Sequence, residues 1–227
     1  KAIRKATKAS YAVPTTKAGT VYYFCRVTNT NSKATGNTSA SADSKLAKVT
    51  VKKAANPITK VSKYSKAIGS KVALKPQGKA AYKSSNTKVA TVSKKGVVAF
   101  KAFGKATITV KAEGNANYNA ATKKIAIVVT PKAISIKSLK SSKAKMAAVT
   151  WKKDAKVTGY KIQYATKSNF KGAKTVTAKK NRTVSATLKK LKGGSKYYVR
   201  IRSYKKVDKK TTVYSTWSKA KTVKVKK

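Results

Sequence analysis

The feature that most constrains this chain is its charge. Its 56 lysines and arginines stand against 4 acidic residues, a net charge of +52 over 227 residues. A folded protein of this mass exposes roughly 10,000 Å², so the net charges lie ~14 Å apart on average. Because the Debye length at physiological salt is ~8 Å, most of the repulsion is screened. The chain can therefore fold, with its lysines solvated at outward strand positions and turns.

The apolar residues predict the secondary structure. Valine, threonine, isoleucine and tyrosine fill the apolar stretches, and these stretches alternate with period two. Such alternation is typical of β-strands with one buried face. The hydrophobic fraction of 41% is too high for a disordered basic tail. The sequence thus predicts an all-β chain.

Two prolines mark candidate boundaries in this all-β chain. Pro57 follows the strand-like stretch "LAKVTVKK", and Pro131 follows "IAIVVT". A proline that ends one alternating stretch and precedes the next is typical of a linker between β domains. We therefore expect three modules, at residues 1–53, 54–131 and 132–227.

The last module has the clearest strand pattern. Short alternating stretches recur between turns, and about seven of them fit into residues 132–227, which predicts a β-sandwich. Residues at spaced positions resemble the fibronectin type III domain: Trp151, Gly159-Tyr160-x-Ile162-x-Tyr164, Leu188-x-x-Leu191, Gly194-x-x-Tyr197-x-Val199-Arg200-Ile201-Arg202 and Ser215-x-Trp217-Ser218. Gly193 departs from the family, which often has proline before the glycine.

The middle module, residues 54–131, is similar to a group-2 bacterial immunoglobulin-like domain. The resemblance rests on spaced residues in four stretches: Ser85-Asn86, Val89-Ala90-Thr91-Val92, Gly96-Val97-Val98 and Gly104-x-Ala106-x-Ile108-Thr109-Val110. Alternation predicts that Ala106, Ile108 and Val110 face the core. Phe100 and Phe103 stand where that family usually has small or polar residues, so we expect them either exposed or buried against a neighbouring module.

The first module, residues 1–53, is too short for a complete domain. Its Tyr23-x-Cys25 pair resembles the F strand of an immunoglobulin-like domain. The resemblance implies roughly strands E, F and G, with Cys25 as a small core residue. The predicted fold class is therefore all-β, with tandem Ig-like and fibronectin type III β-sandwiches of which the N-terminal one is incomplete. We hypothesise that a protein partner or second chain completes residues 1–53.

Signals for catalysis are weak. The chain has no histidine, the commonest general base, and its acids Asp43, Glu113, Asp154 and Asp208 are spread over all three modules. Paired-carboxylate catalysis needs two carboxyl groups within several ångströms of each other. No phosphate loop, zinc pattern or calcium loop occurs. We predict no enzymatic activity, no cofactor and no metal site.

The basic and aromatic stretch "KKLKGGSKYYVRIRSYKK", residues 189–206, holds the candidate site. Alternation turns Tyr197, Val199 and Ile201 inward, with Tyr197 at the position of a tyrosine corner. The predicted outward face consists of Tyr198, Arg200, Arg202 and Tyr204, with Trp217 stacked across the arginines. This face has two readings, a structural cation–π ladder and a platform for sugars or acidic polymers.

The predicted function follows from the modules and the charge. Only five cations are arginines, the usual residue for bidentate phosphate and base contacts, whereas lysine suits diffuse attraction to polyanions. By resemblance, such arrays serve in extracellular or cell-surface proteins of Gram-positive-type walls. We expect a non-catalytic, cell-wall-associated or secreted stalk whose lysines associate with anionic polymers such as teichoic acid and acidic glycans.

Two alternatives remain. One is an adhesin module that binds a host glycan or a matrix or host protein. The other is non-specific nucleic-acid binding, since evenly spread lysines do not indicate sequence readout. No apolar run of 18 residues occurs, so we expect no transmembrane helix.

Overall fold

A computed structural model of the chain describes residue 3, residues 6–33 and residues 35–227. Every regular element in this described part is a β-strand, so the fold class is all-β. The described part offers no apolar helix of membrane-spanning length. The chain divides into two compact units. The first unit consists of Lys1–Pro57, Pro76–Ala80 and Ala112–Ala121. The second unit consists of Ile58–Lys75, Ala81–Lys111 and Thr122–Lys227. The predicted module boundaries at 53/54 and 131/132 stay predictions.

The first unit is dominated by one antiparallel ribbon. Its strands are β1 (Gly19–Tyr23), β2 (Arg26–Thr30), β3 (Ser39–Asp43) and β4 (Ala47–Val51). β2 pairs with β3 as a hairpin, and β1 pairs with β4 from Gly19↔Val51 to Tyr23↔Ala47. The ribbon is therefore two strands wide along its whole length. We call it the N-terminal ribbon, residues 19–51.

The N-terminal ribbon corrects two expectations. Residues 6–18 contain no strand, so a strand E is absent from the described part of this segment. Cys25 is exposed rather than buried, and the ribbon strands form two-stranded sheets only among the described residues. Large apolar side chains are exposed with it, among them Val27 at 65% and Leu46 at 67%. The alternating pattern is present here, yet it creates no core.

Asparagine side chains hold the rest of the first unit together. Asn117 accepts a bond from the Ala18 N–H through Oδ1 at 2.9 Å, and its Nδ2 donates to the Thr16 carbonyl at 3.1 Å. Asn56 reaches Gln77 in the same way, accepting from its N–H at 2.9 Å and donating to its carbonyl at 2.8 Å. These bonds satisfy backbone groups that have no ladder partner, as irregular segments require.

The next strands form two sheets. They are β5 (Lys63–Ala67), β6 (Lys71–Ala73), β7 (Lys79–Ser84), β8 (Ala90–Val92), β9 (Val97–Phe100), β10 (Gly104–Gly114) and β11 (Ala121–Thr130). One sheet has the order β5-β11-β10-β7, and the other has the order β6-β9-β8. β5 and β11 run parallel, whereas β9 is antiparallel to both of its neighbours.

The prediction for the core of these sheets is confirmed. Ala106, Ile108 and Val110 are all buried, as the alternation of β10 requires. Phe100 is also fully buried. Phe103 is half-buried and lines a small pocket together with Lys132 and residues 153–156.

The remaining strands form a sandwich. They are β12 (Ile136–Lys140), β13 (Ala147–Trp151), β14 (Gly159–Ala165), β15 (Lys174–Ala178), β16 (Ser185–Leu188), β17 (Lys196–Lys206), β18 (Thr212–Tyr214) and β19 (Lys221–Lys224). One sheet has the order β12-β13-β16. The other has the order β15-β14-β17-β18, with β19 also paired to β17.

The core of this sandwich matches the predicted alternation in most positions. Trp151 packs edge-on against Tyr160 with ring centroids 5.3 Å apart, and Val199 and Ile201 are fully buried between the sheets. Val184 lies before β16 begins and is exposed. The inward face of β17 is thus occupied by the core, and its outward face carries the candidate site.

Candidate functional site

Strand register brings the candidate residues onto one face of the sandwich. Arg200 lies opposite Gln163, and Arg202 lies opposite Lys161, across the β14–β17 pair. Side chains of directly opposed residues share a face, and alternate residues of one strand share it too. The face therefore combines two arginines of β17 with polar partners from β14.

The two arginines take part in a continuous stack with aromatic rings. The Arg200 guanidinium lies 3.9 Å from the ring centroid of Phe170 and 4.7 Å from that of Trp217. The Arg202 guanidinium lies 4.3 Å from Trp217 and 4.2 Å from Tyr214. We call these five side chains the arginine–aromatic stack. Each contact contributes about 0.5–1 kcal/mol where exposed and about 2 where desolvated.

The cations of this face have no acidic partner. Arg200 donates from Nε and Nη2 to the Gln163 Oε1, at 2.9 and 2.6 Å. The Nε of Arg202 is buried without a hydrogen-bond partner among the described residues. Burial lowers the pKa of both Arg200 and Arg202 from the ordinary arginine value. The face is consequently rich in incompletely solvated cations.

A like-charged pair lies next to the stack. Lys161 and Arg202 oppose each other directly across the strands, an arrangement that is destabilising by itself. Both approach the same ring, since the Lys161 Nζ lies 5.3 Å and the Arg202 guanidinium 4.2 Å from the Tyr214 centroid. The negative face of the aromatic ring offsets part of their repulsion.

Two predicted site residues are placed differently from the stack. Tyr198 is half-buried, and the Lys196 Nζ lies 5.3 Å from the centroid of its ring. Tyr204 differs from the prediction of an outward-facing ring: it lies on the arginine face, but its side chain is buried, with only 5% of the residue exposed. Its ring packs 6.1 Å from Tyr214 and lies across Gly159, where an added Cβ would come within 2.9 Å of the Tyr204 hydroxyl. Tyr204 is therefore unavailable to a large ligand.

The tyrosine corner is present as predicted. The Tyr197 hydroxyl accepts a hydrogen bond from the Lys192 N–H at 3.1 Å, five residues upstream. Its ring packs against the core of the sandwich and lies 6.3 Å from that of Tyr164. This bond anchors the start of β17 and thereby orients the strand that carries the arginines.

Sequence reasoning missed two members of the stack. Tyr214 could have been found, because it stands three residues before Trp217 on a strand that pairs with β17. No sequence pattern indicated Phe170, since it lies in a turn with a φ of 59° and is far from Arg200 in the sequence although close to it in the fold. No group of three histidine, cysteine or acidic side chains that could hold a metal occurs among the described residues.

One family model matches the part of the chain that holds the candidate site. Residues 130–218 match the family model of the fibronectin type III domain. This stretch spans β12 to β18 and includes every residue of the candidate face. Residues 130–218 are thus similar to the fibronectin type III domain, a module that is typically non-catalytic and usually extracellular. No curated protein matches the sequence.

Three solved structures are similar to parts of this chain. The fn3 domain of human collagen alpha-1(XX) is 19% identical with a TM-score of 0.35, over 42% of this chain and 86% of that one. A myokine is 19% identical with a TM-score of 0.34, over 43% and 99%. The FN1–FN3 domains of chicken CNTN1 are 15% identical with a TM-score of 0.37, over 82% and 70%.

Proposed function

We propose that this protein is a non-catalytic, extracellular or cell-wall-associated stalk whose lysine surface binds anionic polymers. The observation that carries the proposal is uncompensated charge. Within the described residues the side chains form one ion pair, between Arg26 and Asp43, and both partners are exposed. A net charge of +52 therefore remains available to external anions.

The distribution of this charge favours diffuse binding. The accessible surface is 16155 Å², so the net charges lie about 18 Å apart, roughly two Debye lengths at physiological salt. Neighbouring charges barely repel one another at that spacing, and the fold tolerates them. A long polyanion still gains from contacting many of them at once, because each contact releases counterions.

The modular arrangement supports a stalk role. The fibronectin type III domain at residues 130–218 is preceded by two further sheets that resemble, in sequence, a group-2 bacterial immunoglobulin-like domain. We propose the three-module division at 1–53, 54–131 and 132–227 on this basis. The Gram-positive-type wall, with its teichoic acids, is the location that the sequence resemblance suggests.

Salt-dependent binding tests the proposal. We expect the chain to bind heparin, teichoic acid and duplex DNA at low salt, and to release all three by roughly 0.5 M salt. The measurement is affinity against salt concentration for each polymer, by fluorescence anisotropy. Parallel slopes for the three ligands would indicate counterion release alone, and absence of binding at low salt would contradict the proposal.

Retention of one ligand at high salt favours the adhesin alternative. The arginine–aromatic stack is the part of the surface suited to such recognition, because its cations are partly desolvated and have no acidic partner. A Trp217→Ala variant would then lose the retained ligand while its low-salt binding to the other polymers is unchanged. DNA retained alone would instead support nucleic-acid recognition.

A second candidate role is protein binding by the N-terminal ribbon. Its apolar side chains are exposed, most clearly Val21, Tyr22, Phe24, Val27 and Leu46. Consecutive residues of a strand point to opposite faces, so Val21 and Tyr22 leave apolar surface on both faces of the ribbon, and a second sheet would cover one of these faces. We propose that strands of a second polypeptide chain supply that sheet and complete residues 1–53.

Light scattering tests this second role. We expect the chain to associate as its concentration rises, more strongly at high salt, where the repulsion between copies is screened. A Val27→Lys and Leu46→Lys variant should lower the association, whereas Lys48→Gln should not. A mass that stays monomeric at every concentration and salt would exclude a second copy as the occupant.

A further inference from the structure

A groove of about 740 Å³ opens beside Trp217 in the fibronectin type III sandwich. Three segments line it: residues 133–136 at the start of β12, residues 152–154 after β13, and residues 217–221 before β19. The groove therefore lies where the first strand of one sheet approaches the last strand of the other. All three segments belong to the same compact unit.

Both long walls of the groove have open backbone groups. Ile134 precedes β12, outside the β12–β13 register that begins at Ile136↔Trp151, and forms no backbone–backbone hydrogen bond among the described residues. Ala220 on the opposite wall also forms none, and the only bond to Lys219 comes from the Ser218 hydroxyl to its carbonyl. Extended segments with free N–H and C=O groups are templates for pairing with another strand.

The rim of the groove is strongly basic. Lys152, Lys153, Lys219 and Lys221 line it, and all four are exposed. Asp154 is the single acid among the lining residues, and its Oδ1 already accepts the Lys156 N–H at 2.9 Å. The electrostatic field in the groove thus favours an anionic occupant.

One end of the groove is aromatic and apolar. Trp217 forms this end, and its indole is held by Arg200 and Arg202 at 4.7 and 4.3 Å. Because both arginines hold the ring, its orientation is set before any ligand arrives. Half-buried Ile134 adds an apolar contact on the facing wall. An apolar side chain can therefore pack against Ile134 and the edge of this fixed ring at low entropic cost.

We propose that this groove binds an acidic peptide segment in extended conformation. Its backbone pairs with the open groups of Ile134 and of residues 219–220, its carboxylates meet the rim lysines, and an apolar side chain packs against Ile134 and the edge of Trp217. A polyanionic glycan would use the lysines but would leave the open backbone groups unpaired, so the walls favour a peptide. The inference goes beyond diffuse binding by the lysine surface, because it depends on backbone pairing at one place.

Backbone-modified peptides separate pairing from charge. The probe is an eight-residue peptide of alternating Glu and Val. Two control peptides have the same sequence: in one the odd-numbered amides are N-methylated, and in the other the even-numbered amides are N-methylated. All three carry the same charge. At physiological salt we expect the N-methylated peptide that blocks pairing to bind about tenfold more weakly than the unmodified peptide by calorimetry.

Amide NMR spectra of the full chain locate the binding. We expect the unmodified peptide to shift the amide signals of Ile134, Lys219 and Ala220 and to slow their hydrogen exchange. Equal binding of all three peptides would show that charge alone acts, and would overturn the proposal. Shifts confined to residues outside the groove would overturn it as well.

Matched lysine variants test the same point from the protein side. Lys152→Gln with Lys219→Gln should weaken the peptide about tenfold, whereas Lys174→Gln with Lys189→Gln should change it less than twofold. Both pairs remove two exposed charges from this sandwich, and thermal melting checks that each variant is folded. Equal losses in the two pairs would overturn the proposal.

A sulfated oligosaccharide separates the two kinds of anion. A heparin-derived hexasaccharide that shifts the groove amides and displaces the peptide at lower concentration would identify a glycan site and overturn the peptide proposal. If the peptide proposal fails, the proposed function is not thereby contradicted, because the salt-dependent binding of long polyanions by the whole chain is measured in a separate experiment.

Discussion

The N-terminal ribbon and the β14–β17 sheet use the same strand pattern with opposite results. β4 of the ribbon and β14 of the sheet each alternate apolar and polar side chains, and each pairs with an antiparallel neighbour. In the sheet, Ile162 and Ile201 face each other and are fully buried. In the ribbon, Val21 faces Val49, and Val21 remains half exposed.

The difference shows what a second layer contributes. A sandwich buries the inward side chains between two sheets, which is where most of the stabilisation from apolar burial arises. The ribbon has one layer, so its apolar side chains remain in water. The arginines differ in the same way: Arg26 forms an exposed pair with Asp43 at 2.6 Å, whereas Arg202 lies between two rings.

The largest expected difference is in core truncation. Val199→Ala should lower the free energy of unfolding of the fibronectin type III domain by about 2–3 kcal/mol, since it removes fully buried methyl groups. Val27→Ala, the same change in the ribbon, should cost less than about 0.5 kcal/mol. Urea unfolding measures the first and amide hydrogen exchange the second. A loss above about 1 kcal/mol for Val27→Ala would show that the ribbon is covered in solution.

The second difference concerns the arginines. Arg202→Lys keeps the charge but removes the planar group between Trp217 and Tyr214, and it should destabilise the domain by about 1–2 kcal/mol. Arg26→Lys is the matched change in the ribbon and should leave stability unchanged, because the pair is exposed. Thermal unfolding compares them. Equal effects would mean that the stack adds nothing to ordinary surface packing.

The third difference is in tyrosine ionisation. Burial raises the pKa of Tyr82, Tyr160, Tyr164 and Tyr204, all outside the ribbon. The native state keeps these phenols neutral, so their contribution to stability is full below the unfolded pKa of ~10 and is lost as pH rises through the raised native pKa. Tyr160→Phe should therefore remove tyrosinate absorbance that appears at higher pH in the native chain than in the urea-unfolded chain. Loss of absorbance at the same pH in both states would contradict the expectation.

The smallest expected effect is on Cys25. It is exposed, so a thiol reagent should modify it at nearly the same rate in the native chain and in urea. The measurement is the rate of colour release from a disulfide reagent. A native rate lower by tenfold or more would show that another segment or chain shields the ribbon, which is the result that the completed-sheet hypothesis expects at high concentration.

Much of the site follows from strand alternation. The sequence places Arg200 and Arg202 on one face of a strand and Val199 and Ile201 on the other, and the register to β14 agrees with that division. The tyrosine corner at Tyr197 was also predictable, because it depends on local spacing. Whether the arginine face serves a ligand stays a prediction.

Three features were not predictable from local sequence. Alternation put Tyr204 on the outward face, but it could not show that Tyr214 and the space above Gly159 would bury the ring. It could not bring Phe170, thirty residues away, onto Arg200. Nor could it show that Cys25 would be exposed.

The sequence by itself determined the all-β class, the surface location of the cations and the strand residues of the fibronectin type III domain. A period of two identifies two faces of a strand, and a net charge of +52 keeps lysine on the outer one. Only the tertiary structure decided which faces are covered and which cations stack on rings. Those outcomes depend on contacts between residues far apart in the chain, and local periodicity carries no information about what lies across a face.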